Sequence, residues 1–160
     1  LAMADPNDEN GDGIIGEVNV VYEVLADDMR PGRFGWIARQ PSVLQQVAAA
    51  FAGDVGITSD SFPEENCPPS VDCNSLPNGG DPEIPMENLR KVTLYSSTLA
   101  VPGRRDWDDQ IVLKGKRLFN QMNCNGCHRG EIITGFYAAI PVLSGKAIRP
   151  YTALLLHDIV

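Results

Sequence analysis

Long apolar runs are missing from this chain of 160 residues. No stretch approaches the ~18 uninterrupted apolar residues of a membrane-spanning helix, so no membrane span is expected. Positive charge is scarce: 13 Lys and Arg stand against 21 Asp and Glu, a net charge of −8. That balance argues against nucleic acid and against an anionic lipid surface as partners. It suits solubility and is compatible with steering toward a basic redox partner. Internal repeats are absent. Cysteine and histidine are few, at 4 and 2 residues. A zinc site needs four ligands gathered together, and Cys67 and Cys73 lie far upstream of the other cysteine pair. What remains, 43% hydrophobic and 21% charged, is the composition of one globular domain able to bury a cofactor-sized apolar surface.

Against that background one segment stands out, Cys124-Asn125-Gly126-Cys127-His128. It is a C-x-x-C-H run, the attachment signature of c-type haem. Two thiols three residues apart project from one side of a turn, where they can add to the two vinyl groups of one haem. The adjacent imidazole of His128 is then placed under the iron as the proximal axial ligand. The expected cofactor is one covalent haem c. Haem of this type is attached outside the cytoplasm, so a periplasmic or extracellular (secreted) location is expected. With no signal peptide at its start, the numbering is expected to begin after a processed leader or inside a longer precursor. Cys67 and Cys73 flank a short loop in a Pro- and Asn-rich stretch, and a disulfide between them fits an oxidising compartment.

The pattern of apolar residues predicts a mainly α fold with an irregular, loop-rich N-terminal half, and the haem motif with its flanks resembles a cytochrome c-like haem domain. Residues 1–105 are expected to form an N-terminal region and residues 106–160 the haem-attachment region, together one compact unit. Asp5 to Asn19 reads as a loop and Val20 to Val24 as a strand or extended strap. A helix is expected from Pro41 through Phe51, stopped by Gly53, and a second from Pro85 to about Ala100. A third begins near Asp106 and leads into the haem motif, with Ile111, Val112, Gly115, Leu118, Phe119 and Met122 as its buried face. A last helix is expected from Pro150 to the end, with Tyr151, Leu154, Leu155 and Ile159 inward.

The third helix resembles the first helix of a class I cytochrome c, which implies that Phe119 packs near the porphyrin edge. The Pro141-Val142-Leu143 segment resembles the Pro-x-Leu of those cytochromes. That likeness implies that the Pro141 carbonyl accepts from Nδ1–H of His128, and that Leu143 packs on haem. The sixth ligand is left open between His157 as a distal ligand (in cis or from a neighbouring copy), an upstream Met, and an unoccupied position. At the other end, Asp8-Glu9-Asn10-Gly11-Asp12-Gly13-Ile14 matches the start of an EF-type calcium loop. Asp8, Asn10, Asp12, the Ile14 carbonyl, Glu17 and Asn19 are the candidate Ca²⁺ ligands, with Asn19 where Glu is usual.

Several segments occur in one order: Asp12-Gly13-Ile14, Gly32-Arg33-Phe34-Gly35-Trp36, Ala50 to Thr58, Leu99 to Pro102, the haem motif, and Pro150-Tyr151-Thr152 with Leu154-Leu155-Leu156-His157-Asp158. Together they resemble the di-haem c-type cytochrome oxidoreductases, often labelled thiol oxidoreductases, which are distant relatives of bacterial di-haem cytochrome c peroxidases. The resemblance is to the segment around the second haem of that family only. The expected function is an exported mono-haem c-type cytochrome that transfers electrons to a redox partner protein, with no catalytic residue assigned. Two alternatives stand beside it. One is a subunit of an extracellular cytochrome assembly with haems stacked between identical neighbours. The other is the peroxidase or oxidoreductase haem domain of a di-haem enzyme.

Overall fold

The computed structural model describes residues 3–159, which divide into two compact units. One unit comprises residues 1–18 and 100–160, and the other residues 19–99. The calcium-like loop thus shares a unit with the haem motif, whereas the sequence reading groups it with the rest of 1–105.

The unit of residues 19–99 starts with a hairpin of β1 (Val20–Glu23) and β2 (Asp28–Pro31), antiparallel with Val20 opposite Pro31. Its first helix, α1, spans Val43–Val55. Ser42 is its N-cap, and the Ser42 hydroxyl accepts from the Gln45 N–H at 3.2 Å, satisfying one of the orphan donors of the first turn. The helix runs through Gly53 and ends at Gly56, whose left-handed φ of 69° suits a residue without Cβ. The second helix, α2 (Met86–Thr98), begins after Pro85 as expected. It packs against α1, with Ala48 and Leu89 fully buried. Gln45 ties the hairpin to α1: its Oε1 accepts from Val24 N–H at 2.9 Å and its Nε2 donates to the Tyr22 carbonyl at 3.0 Å.

Gly32 passes so close to the Ala38 carbonyl that a Cβ there would collide with it, which explains the glycine-punctuated stretch at Gly32–Trp36. Cys67 and Cys73 form a disulfide, with Cα atoms 6.3 Å apart. Thr58, just after α1, and Glu83, just before α2, close the same loop. Thr58 N–H donates to Oε2 of Glu83 at 3.0 Å, and Glu83 N–H returns to Oγ1 of Thr58 at 3.1 Å.

The other unit contains β3 (Ile14–Glu17), α3 (Gln110–Gln121), the short strands β4 (Ile132–Ile133) and β5 (Ala147–Ile148), and β6 (Leu156–Ile159). The strand β3 pairs antiparallel with β6, placing Gly16 opposite His157, and β4 pairs antiparallel with β5. Asp109 caps α3, its Oδ1 accepting from Ile111 N–H at 2.7 Å.

The mainly α expectation is overturned. Among the described residues 32% are helix and 15% strand, with three α-helices, and most of the rest is loop. Two local reasons account for the difference. The segment expected as a last helix is an irregular strap followed by β6. Tyr151 and Leu154 there take left-handed φ values of 53° and 58°, which no helix tolerates. The N-terminal Asx-rich stretch yields β3 within what reads as loop. The expected buried face of α3 is not buried either: Ile111 is 81% exposed and Met122 73%. No helix among the described residues is long and apolar enough to cross a membrane.

Candidate haem site

The haem motif begins where α3 stops. Asn123, with φ 56°, takes the left-handed conformation and turns the chain out of the helix. Residues Cys124–Gly126 then form one 3-10 turn, closed by Cys127 N–H donating to the Cys124 carbonyl, which also accepts from His128 N–H at 2.9 Å. Gly126 lies against Ile14 of β3, where a Cβ would come within 2.5 Å of the Ile14 Cδ1. Cys124 and Cys127 are free, half-buried thiols on this turn, and His128 is exposed beside them.

The strap of residues 151–154 clamps the turn from behind. Ala153, which is buried, donates its N–H to the Cys127 carbonyl at 3.1 Å. Nδ1 of His128 lies 2.9 Å from the Tyr151 carbonyl. A carbonyl oxygen only accepts, so Nδ1 carries the proton and Nε2 presents its lone pair. This is the arrangement that iron-ligating imidazoles use: the outer N–H fixes ring plane and tautomer, and the other nitrogen is left for the metal. Phe119 sits beside the imidazole with ring centroids 6.3 Å apart, and meets Tyr151 edge-on at 5.6 Å.

The bond to His128 expected from the Pro141 carbonyl is therefore made by Tyr151. Pro141 opens a 3-10 turn, Pro141–Leu143, and its carbonyl accepts from Ser144 N–H at 3.0 Å. That turn is pinned by Thr134, whose hydroxyl donates to the Leu143 carbonyl at 2.6 Å. Leu143 is half-buried in this loop. Sequence reasoning missed Tyr151, Ala153 and Arg104 as site residues. Arg104 donates through Nη2 to the Tyr151 hydroxyl at 3.1 Å, and its guanidinium lies 5.7 Å from that ring's centroid. No local pattern marks them: Tyr151 acts through a backbone carbonyl, which every residue carries, and Arg104 reaches it from 47 residues away.

His157 lies on β6 rather than on a helix. Its Nδ1 donates to the Ile15 carbonyl at 3.1 Å, and its Nε2 is buried without a hydrogen-bond partner among the described residues. It lines a hollow with Ile15, Glu17, Leu156 and Asp158, which contains no residue of the Cys124–His128 turn.

The calcium-like loop is held together by its own oxygens. Asp8 Oδ1 accepts from Asp12 N–H at 2.9 Å, Asn10 Oδ1 from the same N–H at 2.8 Å, and Asp12 Oδ1 from Ile14 N–H at 3.0 Å. Asn19 turns its amide to the carbonyls of Ile37 and Ala38, and Glu17 lies on β3. Among the described residues no group of three His, Cys, Asp or Glu side chains could hold a metal ion. The loop is an Asx-turn network in this structure, and nothing in it supports Ca²⁺.

A family model described as "di-haem oxidoreductase, putative peroxidase" matches residues 1–160. The chain belongs to that family. No curated protein and no solved structure matches it. Membership carries haem as the class of cofactor and oxidoreduction as the class of chemistry.

The residues fit a haem on structural grounds as well. Ile111, Leu118 and Met122 fall on one stripe of α3 that ends at the cysteine turn, and all three are exposed. Among the described residues of this unit only Gly16 and Ala153 are buried. An amphipathic helix with its apolar stripe uncovered, next to two thiols and an imidazole, presents the surface a porphyrin needs.

Proposed function

We propose that the chain carries one covalent haem c and works as an exported electron-transferring segment of a di-haem oxidoreductase. Cys124 and Cys127 are the thioether donors, His128 the proximal ligand, and Phe119 and Leu143 apolar neighbours of the ring. The observation that carries this reading is the bond from His128 Nδ1–H to the Tyr151 carbonyl, 2.9 Å long, which leaves Nε2 free beside two unpaired thiols. Haem bound there supplies a one-electron iron couple. The chain's own residues orient the imidazole, hold the attachment turn against the strap, and offer an apolar stripe that excludes water from one side of the ring. Export, to the periplasm or beyond, is supported by the disulfide between Cys67 and Cys73 and by the chemistry of haem attachment.

The family favours a second reading, a peroxidase-like domain whose distal position exchanges with peroxide. In the carrier reading the candidate for the distal position is His157, which has the tautomer of a ligand, with Nδ1–H on a carbonyl and Nε2 free. Its Nε2 is withdrawn from solvent, so a role as ligand to a neighbouring copy requires β6 to move.

One experiment tests both readings. Protein produced with a c-type haem maturation system is expected to show one covalent haem per chain by pyridine haemochrome, lost in Cys124→Ser/Cys127→Ser. A chain that takes up no covalent haem sinks the proposal. A spectrum unmoved by cyanide and peroxide supports the carrier, and His157→Ala then opens the distal position to cyanide. A wild-type spectrum that shifts on adding either ligand supports the peroxidase-like domain.

A further inference from the structure

Tyr151 is held in a conformation its own backbone disfavours. Its φ of 53° is left-handed, a region that a residue with a Cβ disfavours. Such strain persists only where surrounding contacts over-determine it. The contacts are on the side chain. The ring meets Phe119 edge-on at 5.6 Å, the Arg104 guanidinium stands 5.7 Å from its centroid, and Arg104 Nη2 donates to its hydroxyl at 3.1 Å. Gly130 runs beside the ring, where a Cβ would sit 3.8 Å from Tyr151 Cε1. Two residues on, Ala153 N–H fixes the strap to Cys127.

The consequence of that hold is the position of one atom. The Tyr151 carbonyl is the acceptor for His128 Nδ1–H, and His128 is otherwise exposed. The ring and its guanidinium neighbour act as a lever on a backbone oxygen, and the oxygen acts on the imidazole. An acceptor held firmly on Nδ1–H makes the imidazole a stronger donor through Nε2 and stabilises the oxidised iron.

We infer that Arg104 and Tyr151 are a positioning pair for His128, setting the potential of the haem through the Tyr151 carbonyl. This rests on the haem reading above. The effect has a sign that separates it from simple charge. Loss of the Arg104 cation by itself lowers the potential, because a positive neighbour favours the reduced state. Loosening the carbonyl raises it. Tyr151→Phe changes no charge and removes only the Arg104 bond, and Tyr151→Leu removes the ring contacts as well.

The test uses the haem-loaded chain and two readouts besides activity, the midpoint potential and the hydrogen–deuterium exchange of His128 Nδ1–H by NMR in the reduced protein. Tyr151→Phe and Tyr151→Leu are expected to move the potential upward in that order and to speed the exchange several-fold. Arg104→Gln is expected to speed the exchange in the wild-type background and to leave it unchanged in Tyr151→Leu. Should Tyr151→Leu fail to load haem, Tyr151→Phe and Arg104→Gln carry the same comparison as single and double variants. Wild-type potential and exchange in a loaded Tyr151 variant overturn the inference while the haem site stands. So does an Arg104→Gln effect of equal size in both backgrounds. A wild-type chain without covalent haem overturns the inference together with the function it rests on.

Discussion

Two glycines show how differently the same residue is used within one unit. At Gly32 an added methyl would run into the Ala38 carbonyl, a backbone atom that cannot swing aside. At Gly53, inside α1, nothing lies within 4 Å of the position a Cβ would take. Gly32→Ala is therefore expected to destabilise its unit by about 1–3 kcal/mol through forced backbone displacement. Gly53→Ala is expected to stabilise it by about 0.5–1 kcal/mol, because alanine loses less freedom in a helix. Denaturant titration of the two variants beside the wild type checks both signs at once. A neutral Gly32→Ala would mean that the Gly32–Trp36 stretch yields more easily than its packing implies. The sequence reading marked Gly53 as a helix stop, and this is where single residues mislead. The stop is three residues later at Gly56, where φ is positive, and a lone sequence does not say which of two nearby glycines takes that conformation.

Between elements, the link from α1 to α2 depends on one carboxylate. Glu83 accepts from Gly79 N–H at 2.8 Å and from Thr58 N–H at 3.0 Å, and these bonds, Gly79 first, hold its carboxyl below the ordinary glutamate range. A depressed folded value means that the stabilisation is fully present above the unfolded glutamate value. It is lost as pH falls through the lower, folded one. Thermal melts across an acid series are expected to show the wild-type unit losing stability in that window. Glu83→Gln is expected to melt lower at neutral pH and to vary less with acid. Parallel wild-type and variant curves would show that the Thr58–Glu83 closure does not hold the loop. Elements with local signals were legible in advance: α2 begins directly after Pro85. The strap and β6 were not. Leu154, Leu155 and Leu156 form an apolar run whose periodicity fits a helix or a strand equally, and only the pairing of β6 with β3, brought from the far end of the chain, decides between them. The same non-local origin hid Tyr151, because its importance lies in a carbonyl, which every residue has.

At the scale of the whole molecule the two units differ in what makes them stable. Residues 19–99 bury Ala38, Ala48 and Leu89 among others, and have a disulfide besides. The unit with the cysteine turn buries only Gly16 and Ala153 among its described residues, while on the stripe of α3 and its C-cap Ile111 stands 81% exposed, Met122 73% and Leu118 46%. Full burial of one such side chain is worth about 1.5–3 kcal/mol, so covering three contributes on the order of 5–9 kcal/mol. That is comparable to the entire net stability of an ordinary domain, about 5–15 kcal/mol. A cofactor that covers part of α3 is on this scale a structural component of its unit, and binding free energy becomes folding free energy. The Cys124→Ser/Cys127→Ser variant, which cannot retain covalent haem, is therefore expected to lose order in one unit alone. Limited proteolysis followed by mass spectrometry should place its early cuts within residues 100–160, while the segment 19–99 stays protected and its melt is unchanged. Equal protection of both segments without haem would show that the sparse core around Ala153 suffices, and that the open stripe of α3 has a purpose other than seating the cofactor.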